Sequence, residues 1–229
     1  MTSENENGID SRNQLSISED AYRRIRSDII FGRLRPSQKL KLEGLRDGYG
    51  ASISTLREIL NRLASEGLVV AEGQRGFEVA PVSVENLKEI AALRLLLETH
   101  ALEQSFAAGG VDWEGDVVAS HHKLATLERR MANGDMSQTE LWKRYDWEFH
   151  QSLISACGSA VLMETHAAIF DKYLRYQMIA LSFRGDIAAS EHRSLLEAAL
   201  KRDSTTARDV LERHVSGGLE HALSTGTIL

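Results

Sequence analysis

Both prolines of this 229-residue chain, Pro36 and Pro81, lie in its first third. From residue 82 onward nothing interrupts helix formation by removing a backbone donor or fixing φ. Apolar residues recur there at helical spacing, and the stops are legible as Gly109-Gly110, Asn133-Gly134, Gly158, Gly185 and Asp203. That pattern predicts six helices, at 84–108, 113–132, 138–156, 159–182, 187–202 and 204–222, packed as an all-α bundle. Ser137-Gln-Thr-Glu140 has the spacing of a capping box at the start of the third.

The first third reads differently. Residues 1–17, MTSENENGIDSRNQLSI, are too polar to offset ordering entropy and are expected as a disordered tail. A helix is expected from Ser18 through AYRRIRSDIIFG, with Tyr22, Ile25, Ile29 and Ile30 as its apolar stripe. A short helix follows in LEGLRDGYG. A third, TLREILNRLASEG, is capped by Ser52 or Ser54 and stopped by Gly67. LVVAE and FEVAP flank GQRG as a small β-hairpin. Three helices and a hairpin over 18–81 describe a winged helix-turn-helix, so the chain as a whole is mainly α with two domains, 18–81 and 82–229.

Charge separates the same two parts. The net charge is −6, yet residues 21–81 carry eleven Lys or Arg against seven Asp or Glu, and all eight histidines come after residue 99. A basic segment within an acidic chain points to a local anionic partner. In a helix-turn-helix the third helix enters the major groove N-terminus first. That end carries Ser52, Ser54, Thr55 and Arg57, with Asn61 and Arg62 a turn further on. The hydroxyls and amides suit phosphate oxygens, and Arg57 suits phosphate or guanine. Arg35 in the preceding loop and Gln74, Arg75 and Gly76 at the hairpin tip complete the expected DNA-facing set.

No apolar run approaches the roughly 18 residues that span a bilayer, and the polar N-terminus lacks a signal-peptide pattern. Cys157 is the single cysteine, so no internal disulfide forms and a cytoplasmic setting is expected. HExxH, cysteine clusters and Glu-x-x-His pairs are all absent, which removes zincin, zinc-finger and di-iron chemistry. Asp146 and His150, in YDWEFH, share a helix face one turn apart. On spacing alone they read equally as a local hydrogen bond or as half of a metal site. His192 and His214 or His221 lie on later helices, and periodicity does not choose between the last two.

Gly50-Ala-Ser-Ile-Ser-Thr-Leu-Arg57-Glu-Ile-Leu60 and Leu63-Ala-Ser-Glu66-Gly67-Leu68, with GRLRPSQKL before and GQRGFEV after, resemble the DNA-binding domain of the GntR family of bacterial transcription regulators. Departures from the family pattern are Ile53 for an arginine, Thr55 for a proline, Ser37 for a glycine and Arg46 for a small residue. Residues 84–222 resemble the FCD effector-sensing domain of the family's FadR branch, in its six-helix VanR-like form. The matching residues are Arg94-x-x-x-Glu98, Asp146-Trp-Glu-Phe-His150, Glu191-His192-Arg193 and Arg213-His214. The resemblance implies one divalent cation on Asp146, His150, His192 and His214, with zinc first and nickel, manganese or iron as alternatives. It further implies a small organic-acid effector anchored by Arg94, with Arg175 and Tyr176 as further pocket residues. A homodimeric, non-enzymatic, metabolite-responsive repressor on a pseudo-palindromic double-stranded operator follows. The alternative reading is a helical metalloenzyme with an accessory N-terminal interaction domain.

Overall fold

The computed structural model describes residues 6–73, 76–180 and 183–228, with side chains from residue 17 onward. The chain divides into two compact units, Met1–Val82 and Ser83–Leu229.

The first unit contains α1 (Glu6–Ile30), β1 (Lys39–Leu40), α2 (Leu42–Tyr49), α3 (Ile53–Ser65), β2 (Val69–Ala71) and β3 (Phe77–Val79). Helix α1 begins at Glu6, so residues 6–17 are helical where a disordered tail was expected. Once a helix is formed, adding residues to its end costs little, and α1 is anchored at its other end by the buried Ile25 and Ile29. Gly50 closes α2 at φ 69°, a left-handed conformation that a side chain disfavours, and its N–H donates to Arg46 O. Ser52 then caps α3, its hydroxyl accepting from Thr55 N–H at 3.2 Å. At the other end Gly67 N–H donates to Ala64 O and Leu68 N–H to Leu63 O, a Schellman closure that turns the chain into β2.

The sheet has the order β1-β3-β2, all antiparallel. Pairings Val69↔Val79 and Ala71↔Phe77 form the expected hairpin, and Leu40↔Phe77 adds a third strand. Two residues carry no readable alternation, which is why β1 is invisible in the sequence. Ile25, Ile29, Leu56, Leu60 and Leu63 are fully buried together at the centre of this unit. Gln74 and Arg75 lie outside the described residues.

The second unit is α4 (Val84–Ala108), α5 (Val111–Ala132), α6 (Thr139–Ile154), α7 (Ala160–Ile179), α8 (Asp186–Lys201) and α9 (Ser204–Ser224). Helix α4 packs against α6, α7 and α9, while α5 lies against α6 and α8. The capping box expected at Ser137 does not form. Ser137 Oγ donates to Asp135 Oδ1 at 2.6 Å, and α6 starts after Gln138 without a side-chain cap. Ser137 N–H also donates to Asp135 Oδ1, at 3.1 Å, so an Asp-centred local turn stands where the cap was expected. Gly218 lets α9 approach α7: a Cβ there would come within 2.6 Å of the Tyr173 hydroxyl oxygen. The core of the bundle is unusually polar. Arg94, Glu98, Glu128, Lys143, Asp146, His150, His166, His192 and His214 are all buried. Buried charge persists only where it is paired, so these residues must answer one another.

Leu60→Ala is expected to cost about 2–5 kcal/mol in the first unit, read by urea denaturation, because it opens a cavity against α1 and the sheet.

Candidate metal centre and nucleic-acid interface

Helix α6 supplies Asp146 and His150, α8 supplies His192 and α9 supplies His214. One ligand atom from each of the four can be chosen so that all lie within 4.8 Å of one another. The imidazole centroids of His192 and His214 are 4.6 Å apart, and those of His150 and His214 are 5.2 Å apart. His221, the rival on spacing, is not a member of this cluster.

Each ring is oriented from behind by a carboxylate. His192 Nδ1 lies 2.6 Å from Glu128 Oε1, His214 Nδ1 lies 2.9 Å from Glu191 Oε2, and His150 Nδ1 lies 3.3 Å from Glu98 Oε2. Glu98 also holds His166 Nε2 at 2.6 Å and receives the Arg94 guanidinium. With their Nδ1 atoms engaged, His150 and His192 turn Nε2 inward, and both Nε2 atoms are buried without a hydrogen-bond partner. Asp146 Oδ1 stands 3.2 Å from His192 Nε2 and 3.9 Å from His150 Nε2. Buried ring nitrogens converging on one carboxylate oxygen, each ring backed by a second carboxylate, are the donor set of a three-histidine, one-aspartate cation site. The residues present fit a divalent metal ion.

The electrostatics agree with ligand chemistry. Burial works against the Asp146 charge, but Lys143, His192 and His150 outweigh it and hold the carboxyl well below the usual carboxylate range. Burial lowers His150 and His214, which favours the neutral imidazole a metal requires. His192 departs in the other direction. Burial would lower it, yet the neighbouring carboxylates of Asp146 and Glu128 raise it to about 9.

A narrow cavity of about 20 Å³ adjoins the cluster, room for roughly one water. Its walls include Arg94, Trp142, Lys143, Tyr173, Gln177 and Arg184 beside Asp146, His192 and His214. Arg94 lines this cavity, while Glu98 engages it at 3.0 Å and the Phe170 ring stacks on it at 4.2 Å. Arg175 and Tyr176 do not line it. The Tyr176 hydroxyl accepts from Ser83 N–H at 3.2 Å and donates to Asn86 Oδ1 at 2.9 Å, tying α7 to the start of α4. Two residues past Tyr173, Arg175 falls on the opposite side of α7, whereas Tyr176, three past it, is taken up by the start of α4.

Sequence reasoning missed Glu128, Lys143, Gln177 and Arg184. Glu128 had a signal: it sits on the stripe formed by Leu124, Leu127 and Met131, where a charge needs a buried partner. Arg184 lies in the loop before α8, where no periodicity points.

In the first unit, Ser52, Ser54, Arg57 and Asn61 are exposed along α3, and Arg35 is exposed in the loop before β1. Ser52 Oγ contacts Ser54 Oγ at 2.9 Å and Thr55 Oγ1 at 2.8 Å, gathering three hydroxyls at the helix N-terminus. Gly76 sits at φ 93° in the turn leading into β3. Arg62 is differently occupied. It lies 3.5 Å over the Tyr22 ring and pairs with Glu19 at 3.2 Å, bracing α3 against α1. Ile53 is half-buried against the core instead of projecting as a cation.

A winged helix-turn-helix and a helical domain enclosing a cation-type donor cluster together define a two-domain DNA-binding regulator. Similarity to known proteins says of which kind. Residues 17–79 match the bacterial regulatory proteins of the gntR family, and residues 89–217 match the FCD domain. An uncharacterized HTH-type transcriptional regulator of Paraburkholderia xenovorans, BphR, is 33% identical over 90% of this chain and 85% of its own length. The HTH-type transcriptional repressor GlaR of Escherichia coli is 32% identical over 86% of this chain and 92% of its own. Among solved structures, E. coli McbR/YncC superposes with a TM-score of 0.76 at 19% identity, covering 91% of this chain and 97% of that one. The chain therefore belongs to the GntR family of transcription regulators and carries a FadR-type FCD domain. It is a DNA-binding regulator and not an enzyme, so the metalloenzyme alternative falls. Among the described residues no helix is long and apolar enough to cross a membrane.

Two substitutions separate the functions of the units. Arg57→Ala should weaken binding to the chain's own promoter DNA by about tenfold or more in a gel shift, since one direct contact carries roughly 1–3 kcal/mol, while metal content stays unchanged. His214→Ala should lose metal on dialysis as measured by plasma emission, whereas His221→Ala should keep it.

Proposed function

We propose that this regulator is a metabolite-responsive repressor whose FCD domain holds one divalent cation on Asp146, His150, His192 and His214. The observation that carries the reading is the pair of buried, unpartnered Nε2 atoms of His150 and His192 aimed at Asp146 Oδ1. Zinc is the first choice, with nickel, manganese or iron compatible with the same imidazole-rich set. When bound, the cation supplies a Lewis-acid anchor for a carboxylate oxygen of a small organic acid. Arg94, Lys143 and Arg184 bring positive charge to the cavity beside it, which suits an anionic effector.

The repressor reading draws on GlaR, a relative named as a repressor. In this reading the protein acts in the bacterial cytoplasm as a homodimer on a pseudo-palindromic operator. Each protomer presents α3 to one major groove, with Ser52, Ser54, Thr55, Arg57 and Asn61 at the interface. Arg35 and the wing residues Gln74, Arg75 and Gly76 lie at its edge. Exposed Val111, Val118 and Leu200 form an apolar face on α5 and α8 that a second copy would cover. An effector preferring one arrangement of the dimer shifts the DNA-competent population by its difference in affinity.

Thermal-shift screening of zinc-loaded protein against small carboxylic acids tests the reading. At least one acid should stabilise the wild type, by about 2.7 kcal/mol at a hundredfold excess over its dissociation constant, and release it from promoter DNA. His150→Ala should lose both the metal and the response. A His150→Ala protein with full metal occupancy would exclude this ligand set.

A further inference from the structure

The Asp146 carboxylate sends its two oxygens in different directions. Oδ1 faces the unpartnered Nε2 atoms of His192 and His150. Oδ2 accepts a hydrogen bond from Lys143 Nζ at 3.2 Å. Lys143 is itself held in place. Its ammonium donates to Gln177 Oε1 at 3.2 Å and lies 4.1 Å from the centroid of the Trp142 ring. Its side chain is 7% exposed, and the residue forms part of the cavity wall beside the histidines.

A buried lysine at this place is a costly way to stabilise a helix. A surface i,i+3 pair would do the same at lower desolvation cost, and an apolar side chain would pack the core better. Its position does serve the cation. The protein offers four donor atoms, and a divalent cation that accepts five or six has positions left over. The oxygen best placed to fill one is Asp146 Oδ2, which shares a carbon with the donor Oδ1, and carboxylates ligate through one oxygen or two. Lys143 occupies that second oxygen. Its partner Gln177 on α7 keeps the ammonium from swinging away.

Resting on the metal-centre reading above, we propose that Lys143 is a positioning residue that confines Asp146 to one-oxygen ligation. It thereby keeps the cation's remaining positions open to the cavity, where a carboxylate ligand enters. Lys143 acts through Asp146 and Gln177 and is not itself a metal ligand.

The test uses full-length protein loaded with Co²⁺, whose visible absorption reports the coordination shell, and acetate as the probe carboxylate. Metal content is measured alongside by equilibrium dialysis. Wild type should bind one Co²⁺ and shift its spectrum on acetate addition. Lys143→Met should retain the Co²⁺ with an altered resting spectrum and bind acetate about tenfold or more weakly, the range expected for outer-sphere changes. Lys143→Arg should restore the wild-type response. Should Lys143→Met fail to fold, Gln177→Met carries the same test, because it releases the ammonium from α7 and should weaken acetate in the same direction. Wild-type acetate affinity in a Co²⁺-loaded Lys143→Met protein, or in Gln177→Met where that variant carries the test, overturns the proposal and leaves the metal centre standing. Loss of Co²⁺ from folded Lys143→Met also overturns it, since Lys143 would then support the ion itself. A wild type that binds no Co²⁺ overturns both readings together.

Discussion

The FCD domain is organised around one buried carboxylate. Asp146 lies under the surface of the bundle with Lys143 on one oxygen and two imidazoles on the other. Leaving an ion at that depth without partners would cost several kcal/mol. The neighbouring helices answer in turn: α8 brings His192 to the carboxylate, Glu128 of α5 and Glu98 of α4 back the imidazoles, and Gln177 of α7 holds Lys143. Little of this polar core can be replaced singly, because each removal strands a partner in low dielectric. The packing that Gly218 permits between α9 and α7 belongs to the same constraint, since it brings His214 and Tyr173 to the cavity wall together.

The DNA-binding unit rests on the opposite principle. Its core is aliphatic, with Ile25, Ile29, Leu56, Leu60 and Leu63 excluded from solvent, and its polar groups stand at the helix N-terminus and outer surface. An apolar core fixes α3 in the body of the unit while leaving Ser52, Ser54 and Arg57 exposed. Arg62 shows how the two demands are divided along one helix. A turn beyond Arg57, it is spent on Tyr22 and Glu19, bracing α3 against α1. Ile53 similarly serves the core where the family places a cation. The basic groups left facing outward on α3 are therefore fewer than a count of arginines suggests.

Helix periodicity and glycine stops were legible along nearly the whole chain, and the six bundle helices lie within a few residues of where the pattern puts them. What failed were features set by a local competition. Ser137 had the capping-box spacing, yet its N–H and hydroxyl both donate to Asp135 in a local turn. Strand β1 is two residues long and exists because β3 offers it an edge. The start of α1 escaped because composition predicts the cost of ordering a segment in isolation, whereas extending a helix already nucleated costs far less.

The cluster shows the same limit at the level of the site. Sequence by itself determined that Asp146 and His150 share a helix face, because their spacing and the helical period require it. The match to a known family then singled out His192 and His214. Helical period could not separate His214 from His221, which lie seven apart with nearly the same phase; the packing of α9 brings His214 into the cluster. Tertiary structure also excluded Arg175 and Tyr176 from the cavity, and brought in Glu128, Lys143, Gln177 and Arg184. Those four come from three helices and a loop, and their meeting depends on distances between elements. Periodicity along one helix carries no information about such distances.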